Sequence, residues 1–457
     1  MSKKPERVWK WTLTTLSFTC LLLGGARRDV QGQRPHPTAS RALIRFDQYR
    51  LKNGLRVLLA PDSAAPTVAL CVTYGVGSRD EPPGEAGWAH LMEHMMFQGS
   101  AHVGRGEHPQ LVEETGGKYQ ADTDQDHTEY YEEVPAGQRA LVLYLEADRM
   151  GSLDLTQDNL NNQRAVVLRE KAQRHSHQSY DVAETALLDL AYKGFGYKHT
   201  IIGEKADLDA ATVPGLRAFY RRFYMPGNAV LALTGDFNEA AAKAEIARDF
   251  GPIPARPAPM PAVFTEPTSS RERRKALEDD YSRLQRCVLG YRLPPFISPD
   301  FAALDCLSDI LGRGHTSRLY QTLVDPRRAV SAAAHARGRR GPGLFVVTAD
   351  LPADSSFPAA EGAVEAQIAR IQAGGVTPAE LQKARNWERM DLWGGLEATA
   401  GRARWLAAEA VDSGDPGRVN TYLSRLDAVT PADVRRVARR YLVGTNRIVL
   451  DVTPTSY

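Results

Sequence analysis

The stretch Leu216-Arg-Ala-Phe-Tyr-Arg-Arg-Phe-Tyr-Met-Pro-Gly-Asn-Ala-Val-Leu-Ala-Leu233 has a counterpart 218 residues later. It is Val434-Arg-Arg-Val-Ala-Arg-Arg-Tyr-Leu-Val-Gly-Thr-Asn-Arg-Ile-Val-Leu-Asp451, with Asn228 set against Asn446. Each copy reads as an amphipathic helix, an Asn/Gly turn and an apolar strand. Helix-turn-strand units are common, but agreement residue by residue points to duplication. A duplicated chain folds into two similar units, and 457 residues accommodate two large domains. A proline-rich stretch, 252–270, lies between the copies and reads as an extended linker. The expected domains are therefore 41–251 and 271–457.

Within the first domain, residues 51–60 read as a hairpin turning at Asn53-Gly54, and Thr67 to Val76 as a more hydrophobic strand. Residues 118–134 are polar and rich in Thr and Tyr, consistent with two strands at a sheet edge. Helical spacing is expected over 139–150, 158–175, 182–191 and 214–223. A further helix begins after Gly87 and carries the residues that bear on chemistry.

That helix contains His90-Leu-Met-Glu-His94. Positions i, i+3 and i+4 share one helix face, so the two imidazoles can bind one zinc ion while Glu93 stays free to hold a water. The repeat offset carries His90, Glu93 and His94 onto Ser308, Leu311 and Gly312, which are not ligands. One half carries the chemistry. A hydrolytic zinc site needs a third protein ligand and an open fourth position, and Glu170, on the helix expected over 158–175, is the natural third. Zinc makes a water in the open position acidic, and Glu93 would take its proton and pass it to the leaving amine.

These residues resemble the inverted-motif zinc metallopeptidases of the pitrilysin, insulinase and mitochondrial processing peptidase type. The resemblance covers nearly the whole chain after its first residues. His90 to His94 corresponds to the family motif, and Arg164-Ala-Val-Val-Leu-Arg-Glu170 to the segment that holds the third zinc ligand. The segment from Gly116 to Tyr131 is similar to the edge strand that pairs with the substrate backbone, which places Gln120 and Ala121 as substrate-binding residues. Tyr224-Met-Pro-Gly-Asn228 with Thr234-Gly-Asp236 looks like the end of the family's catalytic domain. The resemblance implies an α+β protein of two homologous domains, each an antiparallel sheet backed by helices, facing each other across a chamber. It implies one zinc per chain, with extended peptides or unfolded proteins as substrates bound by strand addition.

Three departures from the family pattern stand out. Gln163 occupies the position of a second glutamate that usually supports the zinc ligands, so the support there is uncharged. The edge strand has Gln120-Ala121 where the family has Asn-Ala. The Arg and Tyr with which the second domain or a partner subunit holds substrate have no evident counterpart: Arg337, Arg339 and Arg340 are present without a well-placed tyrosine. The last departure suits a zinc-bearing subunit in a heterodimer with a related chain; a homodimer is the other expected assembly. Acidic residues around the edge strand, Asp122 and Asp124 among them, would favour basic peptides, although a solvated acidic surface is the better account of them.

The N-terminus reads as a secretory signal: Lys3, Lys4, Arg7 and Lys10 precede an uncharged run from Trp11 to Gly25 that is short for a membrane span. Cleavage is expected after Ala26, with Val30-Gln-Gly32 as the other candidate site, followed by a flexible leader over 27–40 and a destination in the bacterial periplasm or outside the cell. Removing 1–26 takes away four Lys/Arg and one Glu and leaves a nearly neutral chain, which excludes a nucleic-acid binder. Cys71, Cys287 and Cys306 are too few for a disulfide framework. The expected function is an exported zinc endopeptidase. The alternatives are an inactive or weak subunit of a heteromeric peptidase and a non-catalytic peptide- or zinc-binding module; the presence of Glu93 argues against both.

Overall fold

The computed structural model describes residues 42–177, 180–260, 264 and 266–455. The expected signal, the leader and Arg41 lie outside the described residues. Strands β1 (Asp47–Arg50), β2 (Arg56–Pro61), β3 (Thr67–Tyr74), β4 (Lys118–Thr123), β5 (Thr128–Pro135) and β6 (Ala229–Gly235) form one sheet in the order β1-β2-β6-β3-β5-β4. Strands β7 (Arg273–Asp279), β8 (Gln285–Leu293), β9 (Ser331–Arg337), β10 (Gly343–Leu351) and β11 (Arg447–Pro454) form a second, in the order β7-β11-β8-β10-β9. With β1 set aside, the second order repeats the first strand for strand.

The expectation of antiparallel sheets needs one amendment: β2 runs parallel to β6 and β7 parallel to β11, while the other pairs are antiparallel. The cause is the repeat itself. The strand that closes each half inserts beside the strand that opens it, with helices in between, and such a crossover brings the chain back in the same direction.

The helices are α1 (Trp88–Met95), α2 (Glu107–Glu114), α3 (Arg139–Ser152), α4 (Gln157–His177), α5 (Asp181–Ala191), α6 (Phe195–Lys198), α7 (Lys205–Ala210), α8 (Val213–Phe223) and α9 (Glu239–Phe250) in the first half. The second half has α10 (Phe301–Gly312), α11 (Phe357–Gly374), α12 (Pro378–Glu397), α13 (Thr399–Asp412), α14 (Arg418–Ala428) and α15 (Pro431–Tyr441). The repeated stretches occupy α8-β6 and α15-β11. Thr212 and Thr430 cap the two helices through their hydroxyls, with Pro in the first turn of each. Asn228 Nδ2 then donates to Phe223 O (2.9 Å) and Gly75 O (3.3 Å), while Asn446 Nδ2 donates to Tyr441 O (2.8 Å) and Arg292 O (2.9 Å). Each asparagine ties the end of its helix to the end of the neighbouring strand.

Both sheets are covered on both faces, and the halves share the work. Helices α1, α3, α8 and α9 pack on one face of the first sheet through Leu91, Leu143, Phe219 and Ile246. Its other face, with Leu58, Ala69, Cys71 and Ala232, is covered by Leu392, Leu406, Ala407 and Val419 of α12 to α14. Conversely α5 and the following Tyr192 and Tyr197 cover Val288, Leu344, Val346 and Leu450 of the second sheet. Burial on both faces explains why β6 reads as an unbroken apolar run, buried at every residue. The stretch expected as a linker is pinned: Glu266 accepts from Lys193 N and Gly194 N, and Phe264 packs on Tyr197. Cys71, Cys287 and Cys306 are free and buried. Among the described residues no helix is long and apolar enough to cross a membrane.

Candidate metal centre

Helix α1 starts where the backbone leaves no room for a side chain. Gly87 has φ +94°, and a Cβ there would lie 2.7 Å from Ile202 O; a Cβ on Gly203 would lie 2.1 Å from Ala86 O. Two of the helix's first amides, Gly87 N and Ala89 N, donate to the buried Glu81 carboxylate at 2.8 and 2.7 Å. Burial pushes the Glu81 carboxyl well up, opposed by those two hydrogen bonds. Glu81 is a helix cap that the sequence reading missed, because it stands six residues upstream with Pro82-Pro83 between.

The fixed helix presents His90, Glu93 and His94 towards α4, which brings Glu170. His90 Nε2 and His94 Nε2 lie 3.6 and 3.5 Å from the same oxygen, Glu170 Oε2. The two rings stand at 80° with centroids 4.9 Å apart. As direct hydrogen bonds these separations are long. A tetrahedral zinc with bonds of about 2.0–2.1 Å holds its ligand atoms roughly 3.3–3.4 Å apart. Two imidazoles and a carboxylate at this spacing are a donor set that suits zinc. Surrounding charge favours a cation too: burial opposes protonation of His94, but Glu170 and Glu93 raise its proton affinity above the ordinary value. Gln163, buried on α4, places Oε1 3.3 Å from His94 Nδ1 and its amide on Asn162 Oδ1 at 2.8 Å.

Glu93 points from the same face towards the edge strand, where Thr123 Oγ1 donates to its Oε2 at 2.5 Å. Burial raises the Glu93 carboxyl above the usual carboxylate range, against the Thr123 hydrogen bond and the nearby His94. Gln120 and Ala121 lie on β4, the last strand of the sheet, in register with Tyr131 and Tyr130. Ala121 faces the core shared with α1.

Much of the acidity around that edge is internally committed. Arg404 binds Glu129, Arg79 pairs with Asp126 at 3.0 Å, and Glu132 is buried against Arg149 and His108. His108, Glu132 and Glu146 are the other cluster among the described residues with converging ligand atoms. The Arg149 guanidinium already pairs with both carboxylates, so a second cation has no place there. Arg337 pairs with Glu184 at 2.8 Å, Arg339 lies buried over the rings of Tyr192 and Tyr197, and Arg340 N donates to Asp126.

Two helix-backed sheets with a His-His-Glu cluster and a second glutamate, Glu93, beside an edge strand define a metallopeptidase type of architecture. Residues 56–205 match the family described as Insulinase (Peptidase family M16), and residues 210–386 the Peptidase M16 inactive domain. The chain belongs to peptidase family M16. It is 28% identical to the zinc protease PqqE of Helicobacter pylori over 97% of this chain and 98% of that protein. A probable mitochondrial-processing peptidase subunit beta of Arabidopsis thaliana is 25% identical, over 94% of this chain and 83% of its own. The crystal structure of a protease from Helicobacter pylori superposes with a TM-score of 0.85 at 28% identity, over 90% of this chain and all of that one.

Proposed function

We propose that the chain is an exported zinc-dependent endopeptidase acting on extended peptides or unfolded polypeptides. His90, His94 and Glu170 hold one zinc, and Glu93 is the general base. The carrying observation is the convergence of the two histidines on Glu170 Oε2 at 3.5–3.6 Å, with Glu93 on the same helix face. Zinc, when bound, supplies Lewis acidity to the scissile carbonyl and lowers the pKa of water. Glu93 removes the proton from the attacking water at the oxygen not held by Thr123 and returns it to the leaving amine. The β4 edge at Gln120 and Ala121 receives the peptide as an added strand, which selects for extended backbone.

Hydrolysis of an unstructured peptide by wild-type, Glu93→Gln and chelator-treated protein tests this. Glu93→Gln should lose at least about a hundredfold in kcat while keeping its zinc. Zinc bound at one per chain with no turnover of any peptide would remove the independent-enzyme reading. One observation favours a second reading, in which a related subunit completes the site: the Arg337 guanidinium pairs with Glu184 and that of Arg339 is buried over the rings of Tyr192 and Tyr197. Activity that emerges only on adding a partner chain would select it. Export rests on the basic and apolar N-terminus, and fractionation of the expressing cell checks it.

A further inference from the structure

Thr123 is the last residue of β4 and pairs in register with Thr128, the first residue of β5. Its hydroxyl has two acceptors in reach, Glu93 Oε2 at 2.5 Å and Thr128 Oγ1 at 3.4 Å. Thr128 spends its own proton on Val76 O at 2.9 Å, so it cannot be the donor between the two threonines. The single Thr123 proton therefore goes to the carboxylate, the shorter and charge-assisted choice. Thr123 is buried, 6% exposed, so water does not compete for that proton. Among the described residues Thr123 is the one hydrogen-bond donor to the Glu93 carboxylate; the helix fixes the Glu93 Cα, but three side-chain torsions remain between the backbone and the carboxylate.

Resting on the proposed peptidase reading, we propose that Thr123 is the positioning residue of the base: it ties Glu93 to the strand that receives the substrate backbone. The tie runs from α1 to the end of β4, two residues beyond Ala121. A peptide hydrogen-bonded along that edge and the carboxylate that activates its attacking water are then referred to one rigid strand. Thr123 also holds one carboxylate oxygen and leaves the other to exchange the proton, so the base presents the same atom on both proton transfers. The residue does not touch metal or peptide in this role, and its loss should appear in the chemical step more than in binding.

The test uses the full chain, with its partner if one is required, and an unstructured fluorogenic peptide. Thr123→Val removes the hydroxyl and keeps the shape; Thr123→Ser keeps the hydroxyl. A hydrogen bond to a charged group of this kind contributes about 1.5–3 kcal/mol, equivalent to roughly 10- to 150-fold. Thr123→Val should lose kcat by that factor, with KM within about threefold and zinc content unchanged. Thr123→Ser should recover most of the loss. A Thr123→Val protein that keeps wild-type kcat overturns the proposal. So does a Thr123→Ser protein as slow as Thr123→Val, since the side chain's shape would then matter and not its proton. If valine prevents folding, Thr123→Ala against Thr123→Ser decides on the same terms. Turnover that Glu93→Gln abolishes and Thr123→Val leaves intact overturns this proposal alone; a wild-type chain that binds zinc and cleaves nothing, with or without a partner, overturns the peptidase reading and this proposal with it.

Discussion

At the residue scale, the proposed metal cluster is steered by an amide, Gln163, and not by a carboxylate. Gln163 accepts at His94 Nδ1 and so selects the tautomer that leaves Nε2 free for the metal, but it adds no negative charge. Gln163→Leu should weaken zinc affinity about tenfold and Gln163→Glu should strengthen it, read by competition with a chromogenic chelator. Not far away, His108 is buried beside Arg149, and burial with that like charge lowers its pKa to about 3. The unfolded chain takes up this proton near 6.5, so as pH falls from about 6.5 towards 3 the unfolded state gains protons that the folded state refuses. Stability should drop by roughly 2 kcal/mol between pH 7 and pH 5 on account of His108 alone. Urea unfolding of wild type and His108→Gln at both pH values checks it: the difference between the two pH values should shrink in the variant. His90, Glu93 and His94 were legible in the sequence because helix periodicity alone puts them on one face. Glu170 could be nominated from its helix but drew its weight from the register of the resemblance, since nothing in a Glu between Arg169 and Lys171 says which way it points. Thr123 and Glu81 were illegible, because their hydrogen bonds depend on how a strand end and a loop meet α1.

At the scale of elements, α1 owes its position to contacts that involve no ligand. The 86–87 and 202–203 segments approach so closely that Gly203→Ala would drive a methyl into Ala86 O, at a glycine that already has φ +71°. The variant should be destabilised by about 2–4 kcal/mol and bind zinc more weakly with all four site residues intact, measured by thermal melts with and without zinc. The repeated helix-turn-strand was readable in the sequence because its asparagine performs the same two bonds in each half, a local requirement that stamps itself on local sequence. The direction of β6 and β11 within their sheets was not readable. Period-two and apolar-run patterns report burial, and burial is the same for a parallel and an antiparallel neighbour.

At the scale of the whole molecule, the amphipathic faces of α5 and of α12 to α14 declare that they bury something without declaring what, so the exchange of helices between halves lay beyond the sequence. Its consequence is that neither sheet has a complete core without the other half. Residues 42–260 alone would leave Leu58, Ala60, Ala69, Cys71, Val230 and Ala232 without the cover that Leu392, Leu396, Leu406 and Val419 provide. Polar links run the same way: Arg404 binds Glu129, His127 Nδ1 lies 3.0 Å from Asp412, Thr234 Oγ1 donates to Thr399 O at 2.7 Å, and Asn420 brackets Ile44 from both its amide and its carbonyl. Burial contributes on the order of 25 cal/mol per Å² of apolar surface, and a sheet face stripped of its helices forfeits it together with these bonds. The halves should therefore unfold in one transition. Leu406, fully buried against the face of the first sheet away from the proposed zinc site, gives the decisive variant. Leu406→Ala should cost about 2–5 kcal/mol and lower the single melting transition. Zinc should raise that same transition in both wild type and variant, since an ion that binds only the folded state stabilises everything that folds with its site. Two transitions in calorimetry, with zinc moving one and Leu406→Ala the other, would show instead that the two sheets fold independently despite their shared helices.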